Sequence, residues 1–260
     1  MNFQERVTKA GKLRETFLEK GVRWLATDLD DTVVDTSELY VSGMQTYSQN
    51  ITIQSSLNPN PSMEIVWDFM KEVLNGLRST YNVHPNLMQE TARVTALRYG
   101  CNFYSEDLRE PTEQLMRIYE SVPPLFSGVH ETLETIEETG IKVGAITNSD
   151  QQWTDRKLAK NGLYQTFDRV INIPSHIPKD KRAWVEVFDS LEANVREVLV
   201  VGDSWSSDIR PVLELGVPPE NVVRVRTSDS HANQGGVSGI REVDRFEQVI
   251  NVWLGREGII

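Results

Sequence analysis

Cysteine occurs once in these 260 residues, at Cys101, and histidine only four times. A lone thiol excludes an internal disulfide. His84, His130, His176 and His231 share no ligand spacing, so a His/Cys zinc cluster has nothing to rest on. Cys101 itself reads as a small buried residue. Positive charge is also short: 27 Lys and Arg against 38 Asp and Glu leave a net charge of −11. That balance opposes binding to nucleic acid or anionic membrane, both of which call for a basic face. No apolar run approaches the length of a membrane span. The amino end mixes Glu5, Arg6, Lys9, Lys12, Arg14, Glu15 and Lys20 with sparse apolar residues where a signal peptide would carry an apolar block. The expectation is a cytoplasmic protein in a reducing compartment. There is no internal repeat and no low-complexity tract. With 39% hydrophobic and 25% charged residues the chain has an ordinary globular composition, long enough for one large domain or for a core with an insertion.

What is present is an alternation of short β-branched runs with helical patterns, the arrangement of right-handed crossovers around a parallel sheet. Five core strands are expected, Trp24–Leu29, Lys142–Thr147, Arg169–Ile173, Val198–Val201 and Asn221–Val225. Helical segments are expected near His130–Thr139, Trp153–Asn161, Arg182–Leu191 and Asp208–Leu215, with Gly140, Gly162 and Gly216 after three of them as C-terminal punctuation. Between Asp35 and about Val122 no strand pattern appears, while Val66, Phe69, Met70, Val73, Leu74 and Leu77 fall on one helical face. That region reads as an inserted helical unit. Pro59-Asn60-Pro61 breaks it internally, and Pro123-Pro124 marks the return to the core. Gly235-Gly236-Val237-Ser238-Gly239 neither follows a strand nor opens a helix, so it reads as a mobile loop and not as a dinucleotide-binding turn.

The chemistry concentrates at strand ends. Asp28-Leu29-Asp30-Asp31-Thr32 follows the first apolar run, and strand alternation allows Asp28 and Asp30 to converge only if the chain curls at about Leu29. Two neighbouring carboxylates stay charged at pH 7 only if a cation sits between them or one holds a proton. Taken alone, an Asp-x-Asp triplet is common in acidic loops. Three further pieces follow, each after its own strand, where open parallel sheets place their sites. Thr147-Asn148-Ser149 offers a hydroxyl and backbone amides to phosphate oxygens, although hydroxyls there are more often helix caps. Pro178-Lys179-Asp180-Lys181 offers ammonium groups that would otherwise be a solvated pair. Gly202-Asp203-Ser204, with Asp208, again brings two carboxylates near one strand end, and Gly202 allows a close backbone approach.

In this order the four pieces resemble the motifs of the haloacid dehalogenase-like hydrolase superfamily, whose members are mostly phosphatases. Asp28-x-Asp30-x-Thr32 is similar to its first motif, Thr147 to its second, Lys179 to the lysine of its third, and Gly202-Asp203-Ser204 with Asp208 to its fourth. The resemblance covers roughly residues 20–35 and 125–225, including Phe126-Ser127-Gly128-Val129 before the second motif. It implies an α/β fold: a Rossmann-like parallel sheet with helices on both faces (residues 1–36 and 124–260) and a helical type-one cap (37–123) hinged near Asp35–Ser37 and Val122–Leu125. Two departures stand out. Asp31 occupies a position that is often glycine and is read as a turn or helix-capping residue. The third motif lacks the proline that often follows its lysine, so Lys181 competes with Lys179. Lys179 is preferred because Trp184 and Phe188 then fall on the helix face that covers the sheet.

The resemblance also implies roles: Asp28 as nucleophile, Asp30 as general acid and then base, and Thr147, Asn148 and Lys179 on the phosphate. Mg²⁺ would be bound by Asp28, the backbone carbonyl of Asp30 and Asp203, with Asp208 orienting Lys179 or a metal-bound water. The expected activity is hydrolysis of a small phosphorylated metabolite through an aspartyl-phosphate. A dehalogenase proper displaces halide, which leaves unprotonated and needs no acid at position 30. A phosphomutase would use the same core residues, and a non-catalytic binding protein on this fold would have no need of both acids and the lysine. Arg78, Arg93, Arg98, Tyr40 and Trp205 are expected to be solvated or packed before they are expected to touch substrate.

Overall fold

The computed structural model describes residues 3–226 and 239–255. His231 and the glycine-rich stretch up to Ser238 lie outside them. The parallel sheet has the strand order β3-β2-β1-β4-β5-β6, with β1 Trp24–Thr27, β2 Lys142–Asn148, β3 Arg169–Ile173, β4 Val198–Gly202, β5 Val222–Val225 and β6 Arg241–Val243. The helices are α1 Phe3–Lys20, α2 Ser37–Gln54, α3 Met63–Tyr81, α4 Pro85–Arg98, α5 Glu106–Met116, α6 Val129–Glu137, α7 Gln151–Lys160, α8 Lys181–Leu191, α9 Arg210–Glu214 and α10 Val249–Trp253. Sequence order and spatial order disagree across β1. Its partners Lys142 and Val198 come from distant parts of the chain.

The central strands carry apolar runs, Trp24-Leu25-Ala26, Val143-Gly144-Ala145-Ile146 and Val198-Leu199-Val200-Val201, because both faces are covered. Leu25, Val143, Ala145, Leu199 and Val201 pack on one face with Leu13 and Phe17 of α1, Leu133 and Ile136 of α6, and Trp253 of α10. Trp24, Ala26, Ile146, Val198 and Val200 point the other way, onto Trp184, Val187 and Phe188 of α8 and Val212 of α9. The alternation expected of a strand is therefore complete, with two cores instead of one core and water. Helices α2 to α5 form a third cluster around Tyr47, Ile51, Met70, Met88 and Leu108. They lie in the chain between β1 and β2, where helical spacing predicts them.

The structure differs from the sequence expectations in three places. Strand β1 ends at Thr27, one residue before the first motif, because the turn that follows takes over its hydrogen bonding. Strand β6 has no counterpart among the expected strands: Arg241-Glu242-Val243 is a three-residue edge strand with one buried residue, too short for alternation to register. Helix α1 was visible only as a charged amino end, although Ala10, Leu13 and Phe17 carry the helical spacing and are buried. None of the described helices is long and apolar enough to cross a membrane.

Candidate active site

The first acidic motif leaves β1 through a tight turn. Asp28 keeps one ladder bond, its amide donating to the Val201 carbonyl at 2.9 Å. The Leu29 carbonyl then accepts from the amides of Thr32, Val33 and Val34 at 3.3, 2.8 and 2.9 Å. This is the curl that the Asp-x-Asp spacing demands. Leu29, Val33 and Val34 anchor it in the core. Asp31 sits at φ 60, where aspartate is one of the few tolerated side chains. Its Oδ1 accepts from the amides of Thr36 and Ser37 at 3.1 and 2.7 Å, which caps the start of α2. Burial raises the Asp31 carboxyl to about 6, against the lowering effect of the bond from Ser37.

The fourth motif turns just as tightly. At Gly202 a Cβ would stand 2.5 Å from the Cβ of Asp208, so only glycine fits there. A single π-helical turn, Trp205–Ile209, carries the chain round so that Asp208 Oδ2 accepts from the Ser204 amide at 3.0 Å. Trp184 of α8 fixes that turn by donating from its indole to the Ser207 carbonyl at 2.7 Å. Arg224 of β5 steadies the strand end, its Nε donating to the Asp203 carbonyl at 3.2 Å.

These two turns bring carboxylate oxygens of Asp28, Asp203 and Asp208 within 4.8 Å of one another. Lys179 lies among them. Its ammonium is 2.6 Å from Asp28 Oδ1, 2.6 Å from Asp208 Oδ1 and 2.7 Å from the Ile146 carbonyl, with the side chain fully enclosed. Lys181, the other lysine of that segment, is exposed in the first turn of α8. Trp184 and Phe188 are buried against the sheet.

The electrostatics follow from crowding. Burial pushes the Asp28 carboxyl up to about 8; Lys179 pulls it down, and Asp208 and Asp30 push it up again. Burial likewise holds Asp203 well above the carboxylate range, reinforced by Asp208, Asp28 and Asp31. Burial would lower the Lys179 ammonium, but Asp208 and Asp28 outweigh it and lift it above its ordinary value. Were all three carboxyls ionised, one ammonium would leave two negative charges without a side-chain counter-charge. Hard oxygen donors carrying that excess fit a small dication such as Mg²⁺.

Asp30 stands on the opposite flank, beside Thr147. Its Oδ2 accepts from Thr147 Oγ1 at 3.3 Å, and its Oδ1 accepts from Thr36 Oγ1 at 2.9 Å. Lys157 of α7, a residue that motif reading passed over, donates to the two oxygens at 2.6 and 2.8 Å. The signal was a lysine on the buried face of a helix that also carries Trp153, Thr154 and Leu158. The side chain of Asn148 is spent on the backbone: its amide donates to the carbonyls of Ile173, Pro174 and Ile177 at 3.0 to 3.1 Å. Its Oδ1 accepts from Asn82 at 2.8 Å, so any contact of Asn148 with substrate falls to its main chain. Asn82 belongs to the turn between α3 and α4 and also donates to the carbonyls of Ser175 and Ile177. It ties the inserted helices to the loop after β3.

Three of the remaining candidates are packed or paired. Tyr40 packs edge-on to Tyr119 at 6.0 Å, Arg93 pairs with Glu90, and Arg98 lies 5.8 Å over the Phe69 ring. His84 caps α4, accepting from the Asn86 amide at 3.1 Å. Cys101 is buried, as expected.

Residues 26–218 match the family model described as haloacid dehalogenase-like hydrolase. Among curated proteins, a pyrophosphatase PpaX from Bacillus mycoides (strain KBAB4) is 24% identical over 181 residues, covering 68% of this chain and 73% of that protein. Among solved structures, a haloacid dehalogenase-like family hydrolase from Xanthomonas campestris superposes with a TM-score of 0.70 at 18% identity, covering 91% of this chain and 99% of that one. The hydrolase YfnB from Bacillus subtilis, bound to magnesium and showing interdomain movement, superposes with a TM-score of 0.67 at 15% identity, covering 89% and 98%.

Proposed function

The chain belongs to the haloacid dehalogenase-like hydrolase family, and from that premise we propose that it is a Mg²⁺-dependent phosphohydrolase. Its substrate class is a small phosphorylated metabolite, and an aspartyl-phosphate forms at Asp28. One observation carries the reading: carboxylates of Asp28, Asp203 and Asp208 converge within 4.8 Å around a buried lysine. Such a cluster is costly to fold and serves no packing purpose.

Asp28 is the nucleophile. Lys179 holds its Oδ1, which leaves Oδ2 to attack phosphorus in line. As the new P–O bond forms, the bond to the leaving oxygen breaks, and Asp30 gives that oxygen its proton. Asp30 then takes a proton from the water that hydrolyses the aspartyl-phosphate, which returns both carboxyls to their starting states. Thr147 and the backbone amides after it hold equatorial oxygens, and Lys179 offsets charge on the transferring group. Asp28, Asp203 and the Asp30 carbonyl would hold Mg²⁺, with Asp208 keeping Lys179 in place; the ion supplies charge neutralisation for an anionic nucleophile meeting an anionic ester.

Asp30 favours phosphate chemistry over dehalogenation, because halide departs without a proton. We take residues 37–123 as a cap over a core of 1–36 and 124–260, with the leaving group read from the cap side. The relatives named pyrophosphatase PpaX add inorganic pyrophosphate to the substrates worth assaying. The test is a panel of sugar phosphates, nucleotides, phospho-amino acids, short phosphoacids and pyrophosphate assayed with Mg²⁺. Release of free phosphate from at least one, abolished in Asp28→Asn, is the expected result. An isomeric sugar phosphate accumulating instead would identify a mutase, and silence across the panel from pH 5 to 9 would point to a binding role.

A further inference from the structure

Among the described residues two lysines are buried, and the reaction above uses only Lys179. The other is Lys157, on α7, whose side chain is completely enclosed. Its ammonium stands 4.1 Å from the centroid of the Trp153 ring, one helical turn back, and donates to both oxygens of Asp30. An enclosed ammonium is costly to desolvate, and at a purely architectural position a methionine of similar length would pack without that cost. The ammonium at position 157 is placed to meet the carboxyl at position 30.

Asp30 has three donors from three elements. Lys157 comes from α7, Thr36 from the cap of α2, and Thr147 from the end of β2. Two donors fix where a carboxylate lies; a third, bidentate one also fixes how its plane is turned. The base of the lysine is itself held. Trp153 donates from its indole to the Ser121 carbonyl at 2.8 Å and packs edge-on to Tyr119 at 5.5 Å.

We propose that Lys157 is the positioning residue for Asp30. It turns the carboxyl so that the oxygen beside Thr147 faces the leaving oxygen of the bound ester. The inference rests on the phosphohydrolase reading. As the P–O bond to the alcohol breaks and the aspartyl-phosphate bond forms at Asp28, the proton passes from Asp30 to the alcohol oxygen. Lys157 takes no part in the bond changes. Its contribution is the aim of the carboxyl, a matter of tenths of an ångström to which proton transfer is sensitive.

The test compares two leaving groups. An alkyl phosphate must receive a proton as it departs, whereas acetyl phosphate releases acetate, which leaves as the anion. The quantity to measure is kcat/KM, which reports phosphoryl transfer to Asp28 and excludes the later hydrolysis. Lys157→Met should lower kcat/KM about 100-fold for the alkyl ester and no more than about threefold for acetyl phosphate, because general acid catalysis is worth at least that larger factor. Asp30→Asn should give the same split. Lys157→Arg keeps the charge with a different reach, so it should show a smaller loss still confined to the alkyl ester. It carries the comparison if the methionine variant does not fold, as judged by thermal melting. Equal losses on both substrates, or no loss on either, would overturn the assignment while leaving the phosphohydrolase reading intact. The alkyl ester is chosen from those the panel shows to be cleaved, and wild-type protein inert toward every ester of the panel and toward acetyl phosphate would overturn that reading and this inference with it.

Discussion

Asp28, Asp203 and Asp208 crowd their carboxyls into one buried space around Lys179. The folded protein therefore holds protons that the unfolded chain has released. Asp28 is raised by burial from 3.8 to about 8, Asp31 to about 6, and Asp203 moves the same way. The stability these groups contribute is complete below the unfolded value and is lost as pH rises through about 8. A divalent ion reverses that loss by taking the place of the protons. The melting temperature should therefore rise more on adding Mg²⁺ at pH 8 than at pH 5, with EDTA as reference; an equal rise at both would separate the ion from the cluster. The two lysines offer a second contrast. Lys179→Ala removes the ammonium between Asp28 and Asp208 and should cost roughly 3–5 kcal/mol in chemical denaturation, whereas exposed Lys181→Ala should stay within about 0.5 kcal/mol.

At the level of elements, the π-helical turn after β4 is what returns Asp208 to the strand end, and it does so by crossing Gly202 at close range. Gly202→Ala should displace Asp208, lower stability by about 1–3 kcal/mol, and reduce phosphate release by more than that loss explains. Melting and kinetics on the same variant check both. Strands β1, β2 and β4 were readable because they are largely buried and carry apolar runs, and edge strand β3, only partly buried, because its β-branched residues mark it. Asp28, Thr147, Lys179 and Asp203 were readable because each directly follows such a run or the turn after it. Strand β6 was not, since a three-residue edge strand has neither a run nor an alternation. Lys157 and Thr36 were not, because their importance lies in reaching Asp30 from other elements, a relation that no local pattern encodes. Asn148 could be placed but not interpreted: a polar side chain after a strand looks the same whether it serves a ligand or the loop beside it.

Across the whole molecule, the inserted helices touch the loop after β3 through Asn82, a non-glycine residue at φ 51 whose amide bonds to Asn148, Ser175 and Ile177. Its ψ of −121 takes it outside the left-handed helical region that asparagine tolerates, so the backbone is strained there, and the bonds compensate for it. Asn82→Ala keeps the strain and removes the bonds, so hydrogen exchange should quicken in residues 174–178 and in the 82–84 turn while the amides of β1 remain protected. Uniform protection would show that the two units are joined mainly elsewhere. The strand order has a further outcome. Because β1 pairs with residues 118 and more positions ahead of it, as Trp24 does with Lys142 and then with Val198, a nascent chain displays Asp28 long before the ribosome has made the residues that surround it in the fold. Asp28 and Asp208 stand 180 positions apart, so the carboxylate cluster assembles only once the whole of that span has been made and threaded into one sheet.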